Sequence, residues 1–503
     1  MGQNASAPTT NSVPAQNTNH GRDQILNQGS GNQNVGGVHM SIAADTSNDH
    51  AHKTLWNAIA GVGASHDSEQ RDGEKRRSRG ECLKGTREEL LRDVHEWRRA
   101  KHRLPICWLS GALGVGKTAI AMSVASACEK DGLAASFFFL RSDPNRNNPS
   151  KLMLTIAYGL ASTTESLKSL IFQRIADDPR ILEAKLEIQF TELILNPSRD
   201  PSANCPDRLV IIDGLDECEN EEAQNRILTI ISNAYTQTPL SPLRFLFTSR
   251  PEPWLHKAFN LRSLHQYTKR IDLNENFRPH SDIEKYYYHH FHEIRTDPER
   301  NQTRFPNPWP SKEDFRWLME KSSSQFIYAA TAMKFVGLPY CDPVEQLRTI
   351  IHSSSAPRPS ESPFSELDEL YHVIISVAPA DIRAQLTDIL SAIVVLRPYI
   401  PPSPTLIEAV LADSRKGYVV RTLRSMHSVL QIRGSEDAIE LYHTSFEEFL
   451  SDSSRSNIDL HAQTNHLASQ WTRSLAKSYL DLERYVFITI CSDHCDKFPS
   501  QTR

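Results

Sequence analysis

Apolar positions follow three regimes along the chain. Up to about residue 51 they are sparse among Asn, Gln, Gly, Ser and Thr. Such a stretch cannot bury enough surface to offset the entropy of ordering, so 1–51 is expected to be a disordered tail. A short amphipathic stretch (Leu55, Trp56, Ile59, Val62) and a charged segment with the basic run 75–79 follow, within a linker segment 52–85. From Thr86 the pattern becomes periodic. Leu90, Leu91, Val94 and Trp97 recur at helical spacing, and Thr86 with Glu89 three residues on predicts a capping box at the helix start. Short apolar runs at 104–110, 134–140, 208–213, 243–248 and 266–273 then alternate with helical stretches. The runs are nearly continuous, as strands covered on both faces require. Strand–helix alternation predicts a parallel sheet with helices on both faces over 86–277.

The third regime is helical, from 278 to 398, with a Ser- and Pro-rich linker near 353–363. Between Pro404 and Leu450 the pattern is helix, helix, two short strands and a short helix, the order of a winged helix, assigned to 399–455. Residues 456–503 read as a helical tail.

Composition narrows the class. Of the 503 residues 39% are hydrophobic and 23% charged, which fits a soluble protein with a sizeable core. A net charge of -5 gives no overall pull toward nucleic acid or an anionic membrane. The first residues have no apolar signal region, and no run approaches the roughly 18 apolar residues of a spanning helix. The 8 cysteines are scattered, as in a cytoplasmic protein with reduced thiols. Cys491 and Cys495 flank His494, but one pair without a second is weak ground for zinc. The opening Met-Gly-Gln-Asn-Ala-Ser fits the myristoylation pattern at Gly2, which would give at most a weak, reversible membrane tether.

The chemistry lies at the strand ends. Gly111, Ala112, Leu113, Gly114, Val115, Gly116, Lys117 and Thr118 fit G-x-x-x-x-G-K-[ST] in full, between an apolar strand and a helix. Glycines let backbone N–H groups turn toward phosphate oxygens, and the helix N-terminus adds a favourable dipole. Lys117 is expected to reach the β- and γ-phosphates of a purine nucleoside triphosphate, and Thr118 to offer its hydroxyl to Mg2+. The run 209–212 ends in Asp213, expected to hold that metal directly or through water. Asp216 and Glu217 lie just beyond, and either one could orient or deprotonate the attacking water. Arg250, at the tip of the run 243–248, is placed to contact the γ-phosphate. No N-K-x-D guanine motif follows, which favours adenine. Nucleophile-elbow, H-E-x-x-H and kinase catalytic-loop motifs are absent from the sequence.

Together these residues resemble a NACHT-type P-loop NTPase of the signal-transducing STAND class, near the fungal NACHT proteins and the nephrocystin-like N-terminal domain family. Gly85-Thr-Arg-Glu88, Asp213-Gly-Leu-Asp-Glu217, Thr248-Ser-Arg-Pro251, Gln325-Phe-Ile-Tyr-Ala-Ala-Thr-Ala332 and His443-Thr-Ser-Phe-Glu-Glu-Phe-Leu450 are similar to successive family segments. The resemblance implies an ATP/ADP switch with slow ATPase activity, serving fungal innate immunity or self/non-self recognition. It also implies an oligomer in the ATP state, an unknown protein partner, and contact between His443 and the ADP β-phosphate. Ser322-Ser-Ser324 stands where the family usually has Gly, and no repeat array follows the winged helix. A non-hydrolysing scaffold and an ordinary P-loop ATPase or phosphotransferase are the rival readings.

Overall fold

The computed structural model describes residues 49–66, 80–100, 104–237, 242–273, 279–300, 303–323, 325–353, 364–411, 416–460 and 464–465. Gly2, nearly all of the 1–51 tail, the basic run 75–79, most of the 353–363 linker, most of the C-terminal tail, and Cys491, His494 and Cys495 lie outside the described residues.

Five strands form one parallel sheet: β1 (Ile106–Ser110), β2 (Leu133–Phe138), β3 (Arg208–Asp213), β4 (Leu243–Ser249) and β5 (Thr268–Asp272). Their spatial order is β2-β3-β4-β1-β5. Successive side chains point to opposite faces, and each face has its own core. Ile106, Trp108, Val210, Ile212, Phe245 and Phe247 meet one layer of helices. Cys107, Leu109, Leu209, Ile211 and Leu246 meet the other. Every residue of β1, β2 and β4 is buried, which accounts for the unbroken apolar runs. On β5, at the edge, only Thr268 and Ile271 are buried and Arg270 is exposed. Burying each Val, Leu, Ile or Phe side chain contributes about 1.5–3 kcal/mol, so the two cores make the sheet a firm base for its loops.

Residues 49–59 form a helix that adds Leu55 and Ile59 to the first core. Helix Glu88–Arg99 buries Leu90, Val94 and Trp97, as the spacing predicts. Thr86 does not cap it. Its hydroxyl donates to the Leu83 carbonyl at 2.6 Å, and the residue before the helix is Arg87, left-handed at φ 56°. The Arg87 N–H donates instead to Asp282 Oδ2 at 3.1 Å, so a distant carboxylate takes the place of the local cap.

Helices Pro279–Thr296, Lys312–Ser322, Phe326–Val336, Pro343–Ser353, Ser365–Ser376 and Arg383–Leu396 build the helical region. Helices Pro404–Val410 and Tyr418–Thr422, the antiparallel pair β6 (Leu430–Gln431) and β7 (Glu440–Leu441), and helix Thr444–Ser451 complete a winged helix. One core runs through both: Tyr371, Ile389 and Ile393 pack with Val419, Leu423, Phe446 and Phe449. The Tyr371 hydroxyl lies 2.7 Å from Ser445 Oγ. The apolar core is therefore continuous across the 398/399 division drawn from sequence. Among the described residues no helix is long and apolar enough to cross a membrane.

Candidate nucleotide-binding site

Parallel register brings the C-terminal strand ends together: Ser110 is level with Ser249 and Asp272, and Phe138 with Asp213. The loops leaving this edge carry the polar residues. Gly114 and Gly116 have φ of 76° and 94°, where a Cβ is disfavoured. Gly116 is the N-cap of helix Lys117–Cys128, which carries no side-chain cap. Leu113 and Val115 are buried, and Gly111 and Ala112 turn their carbonyls to Lys117 Nζ at 2.8 and 2.9 Å. Burial pushes the pKa of that ammonium down, opposed chiefly by Asp216. Lys117 thus holds the loop curled through its own carbonyls, which keeps the cation at the loop mouth.

The acidic trio divides into three environments. Asp213, 2% exposed, accepts from Thr118 Oγ1 at 2.8 Å through Oδ2 and from the Thr248 hydroxyl through Oδ1. Burial pushes its carboxyl pKa up, against both hydroxyls. A hydroxyl beside a carboxylate is an oxygen-only donor set, the kind that suits a hard cation such as Mg2+. Asp216 is buried and occupied: it accepts from the Arg250 N–H at 2.9 Å and pairs with Arg250 Nε at 3.1 Å. Glu217 accepts from the Arg141 N–H at 3.2 Å, and Arg141 Nη2 donates to the Asp216 carbonyl at 2.8 Å. Burial, then the Asp216 charge, pushes Glu217 up to about 7. The two carboxylates, left open as candidates by the sequence, stand in different surroundings. Asp216 is engaged by Arg250, whereas Glu217 lines a cavity together with Thr118 and Asp213.

That cavity, about 1770 Å³, is walled from all three regions. The helical region contributes Tyr286 and Lys334, and the winged helix contributes His443 and Glu447. His443 Nδ1 accepts from the Ser445 N–H at 3.0 Å, so the neutral ring carries its proton on Nε2. Burial, then the charge of Lys117, pushes this imidazole down to about 3. Arg250 lies beyond a simple strand tip: its Nη2 donates to Glu448 Oε1 on helix Thr444–Ser451. From the helical region, the Ile327 N–H donates to the Gly114 carbonyl at 3.1 Å. A Cβ at Gly114 would fall 2.1 Å from Ile327 Cγ2.

Sequence reasoning placed the loop, Asp213, Asp216, Glu217, Arg250 and His443 but assigned no role to Arg141, Thr248, Ile327 or Glu448. Arg141 and Thr248 had a signal, because polar residues at or just past the ends of parallel strands converge on one edge. Ile327 and Glu448 lie in the family-like segments 325–332 and 443–450, but their partners depend on how distant helices dock and left no local signal.

Strand, glycine loop, helix and buried carboxylate at the neighbouring strand end define an α/β P-loop NTPase fold, followed by a helical region and a winged helix. Such a fold implies nucleotide binding at the loop. Residues 85–250 match the family described as Nephrocystin 3, N-terminal, so the resemblance read from sequence holds over that segment. No curated protein matches the chain. Among solved structures, it is similar to a STAND protein with a tetratricopeptide repeat sensor from Pyrococcus horikoshii (11% identity, 80% of this chain and 47% of that one, TM-score 0.41). It is also similar to the ORC1 protein of Aeropyrum pernix in complex with DNA (12% identity, 74% of this chain and 94% of that one, TM-score 0.33). A third similarity is to Drosophila ORC bound to DNA (10% identity, 91% of this chain and 70% of that one, TM-score 0.24). The chain spans 47% of the length of the Pyrococcus protein.

Proposed function

We propose that the protein is an ATP/ADP-driven switch that uses Mg2+ and hydrolyses ATP slowly. The observation that carries this reading is the cavity wall: Thr118, Asp213 and Glu217 of the NTPase region and His443 of the winged helix line one space. A nucleotide there touches both regions, so its phosphate state can bias their arrangement. Lys117 would turn from the loop carbonyls to the β- and γ-phosphates, and Thr118 with Asp213 would hold Mg2+. Glu217, with an affinity for protons near neutral pH, suits a general base for the attacking water. Arg250 would contact the γ-phosphate. His443 carries a proton on Nε2 and would donate it in a hydrogen bond to the β-phosphate of ADP.

Reversing such a switch from 1:99 to 99:1 needs about 5.5 kcal/mol of differential binding, within reach of several charge-assisted contacts. The family likeness supports a cytoplasmic role in innate immunity or self/non-self recognition of the fungal kind, with ATP-dependent self-association and a protein partner. The test is the nucleotide that co-purifies with the full chain, combined with hydrodynamic radius in ADP and in a non-hydrolysable ATP analogue. Bound ADP, slow turnover and a larger radius with the analogue are expected. An unchanged radius would favour a static scaffold, and rapid turnover on a small acceptor would favour a phosphotransferase.

A further inference from the structure

Helix Pro279–Thr296 carries three donors that the nucleotide site does not use. His289, His290 and Glu293 lie on its second half, and all three line the cavity on the helical side. At about 100° per residue, His289 and His290 splay apart and Glu293, one turn on, falls between them. The side chains converge accordingly. His289 Nε2 lies 3.2 Å from Glu293 Oε1, and His290 Nδ1 lies 2.8 Å from Glu293 Oε2. The three ligand atoms sit within 4.8 Å of one another, the one such group of three His, Cys, Asp or Glu among the described residues. The Tyr286 ring packs beside the His290 imidazole, 4.2 Å away centre to centre, and restrains its plane. The side chains of His289, His290 and Glu293 are 44%, 30% and 55% exposed, so an ion can enter without unfolding the helix.

We propose that His289, His290 and Glu293 form a binding site for a divalent transition-metal ion of the zinc type, separate from the Mg2+ expected at Thr118 and Asp213. Two imidazoles and one carboxylate are donors that suit zinc, whereas Mg2+ and Ca2+ take oxygen ligands. Bonds of about 2.0–2.2 Å at tetrahedral angles set ligand atoms about 3.3–3.6 Å apart, so small side-chain rotations from the present spacings complete the site. Each neutral imidazole carries one N–H. With metal bound, that proton sits on the nitrogen turned away from the ion, and the other nitrogen gives its lone pair. No proton is released and nothing is oxidised or reduced. One bond from each residue leaves a coordination position open to the cavity, as in zinc sites with three protein ligands. The ion would staple one turn of the helix and add positive charge to the cavity wall. The Lys334 charge, which opposes a cation, reaches His290 more weakly than the charge of Glu293 does.

The test uses the full chain, stripped with a chelator, and zinc chloride as the probe. Zinc affinity is read by competition with a chromophoric chelator, and Co2+ replaces zinc for visible absorption. Cysteine thiolates are the competing ligands, so the Cys491→Ser, Cys495→Ser double variant is measured in parallel. His290→Asn and Glu293→Gln should each weaken zinc binding by more than about 100-fold, beyond the span seen for residues one layer behind the ligands. His289→Asn is the further variant if either of these melts early without metal. The cysteine double variant should bind like the parent, and excess Mg2+ should not displace the zinc. The Co2+ difference spectrum, parent minus Glu293→Gln, should lack thiolate-to-metal charge transfer. Zinc should also raise the melting temperature of the parent by a shift that His290→Asn loses. No zinc uptake by the parent, affinity unchanged in His290→Asn and Glu293→Gln, displacement by Mg2+, or uptake lost with the two cysteines would each overturn the site.

Discussion

The NTPase region meets the helical region and the winged helix in two different ways. On the helical side the contacts are mostly to backbone: Ile327 N–H to the Gly114 carbonyl at 3.1 Å, Lys285 Nζ to the Gly85 carbonyl at 2.7 Å, and the Arg87 N–H to Asp282 at 3.1 Å. On the winged-helix side, charge meets charge at Arg250 and Glu448, and a neutral His443 stands among cations. Backbone carbonyls keep the same charge whatever the cavity holds. Side-chain charges can be won over by a phosphate. Under the proposed function, the first interface is suited to stay fixed as nucleotide changes, and the second to respond.

The largest effect should come from breaking the fixed interface. Gly114→Ala combines a left-handed backbone with a Cβ 2.1 Å from Ile327 Cγ2. Strain and overpacking together should destabilise the fold by roughly 2–4 kcal/mol in denaturant unfolding. A loss under 1 kcal/mol would mean that Ile327 gives way easily and that this interface is soft. Next in size, Lys117→Arg should abolish nucleotide binding. The stabilisation of about 2.7 kcal/mol expected from a ligand at 100 times its dissociation constant should vanish from the thermal shift. Undiminished ATP affinity in that variant would sink the assignment of the loop.

Two pH experiments probe the responsive side. The folded pKa of His443 lies near 3, below the ordinary 6.5, so the unfolded chain binds the extra proton first as pH falls. The stability tied to this residue is complete above about pH 6.5 and is lost on the way down to pH 3. At pH 5 the loss should reach at most about 2 kcal/mol, and His443→Asn should flatten that part of the pH–stability curve. An unchanged slope would exclude His443 as its source. Glu217 behaves in the opposite sense. Its carboxyl is pushed up to about 7, so its contribution is complete below about pH 4.5 and is lost as pH rises through 7. Glu217→Gln should then be more stable than the parent at pH 8 by roughly 1–2 kcal/mol, discounted for partial solvent access, with little difference at pH 4. It should also slow ATP hydrolysis more than Asp216→Asn slows it per unit of nucleotide bound. The reverse order would return the base role to Asp216.

Much of the responsive site was legible because its residues belong to local signals. Gly111–Thr118, Asp213 and Arg250 each end an apolar strand, and the burial that makes a strand apolar is what points its terminal polar residue at the sheet edge. The helix at 88–99 was legible in its buried face but not in its start. Thr86 and Glu89 have the spacing of a capping box, yet Asp282, almost 200 residues away, captures the Arg87 N–H. Ile327 and Glu448 show the same limit. Nothing near Glu448 separates it from Glu447, and only the docking of the winged helix turns one toward Arg250 and leaves the other 3.9 Å from Arg397.

The left-handed residue before helix Glu88–Arg99 has a mechanical consequence. The Arg87 main chain is tied to helix Pro279–Thr296, its Nη2 donates to the Val115 carbonyl at 2.8 Å, and its guanidinium lies 4.9 Å from the Phe326 ring centre. One residue thus ties the helical region to the loop that would curl around a phosphate. The curvature of that loop is therefore anchored from the helical side through one guanidinium, as a guy line holds the shape of a tent. Amide exchange at Val115 and Gly116 should quicken in Arg87→Ala, even where the bulk of the sheet stays protected.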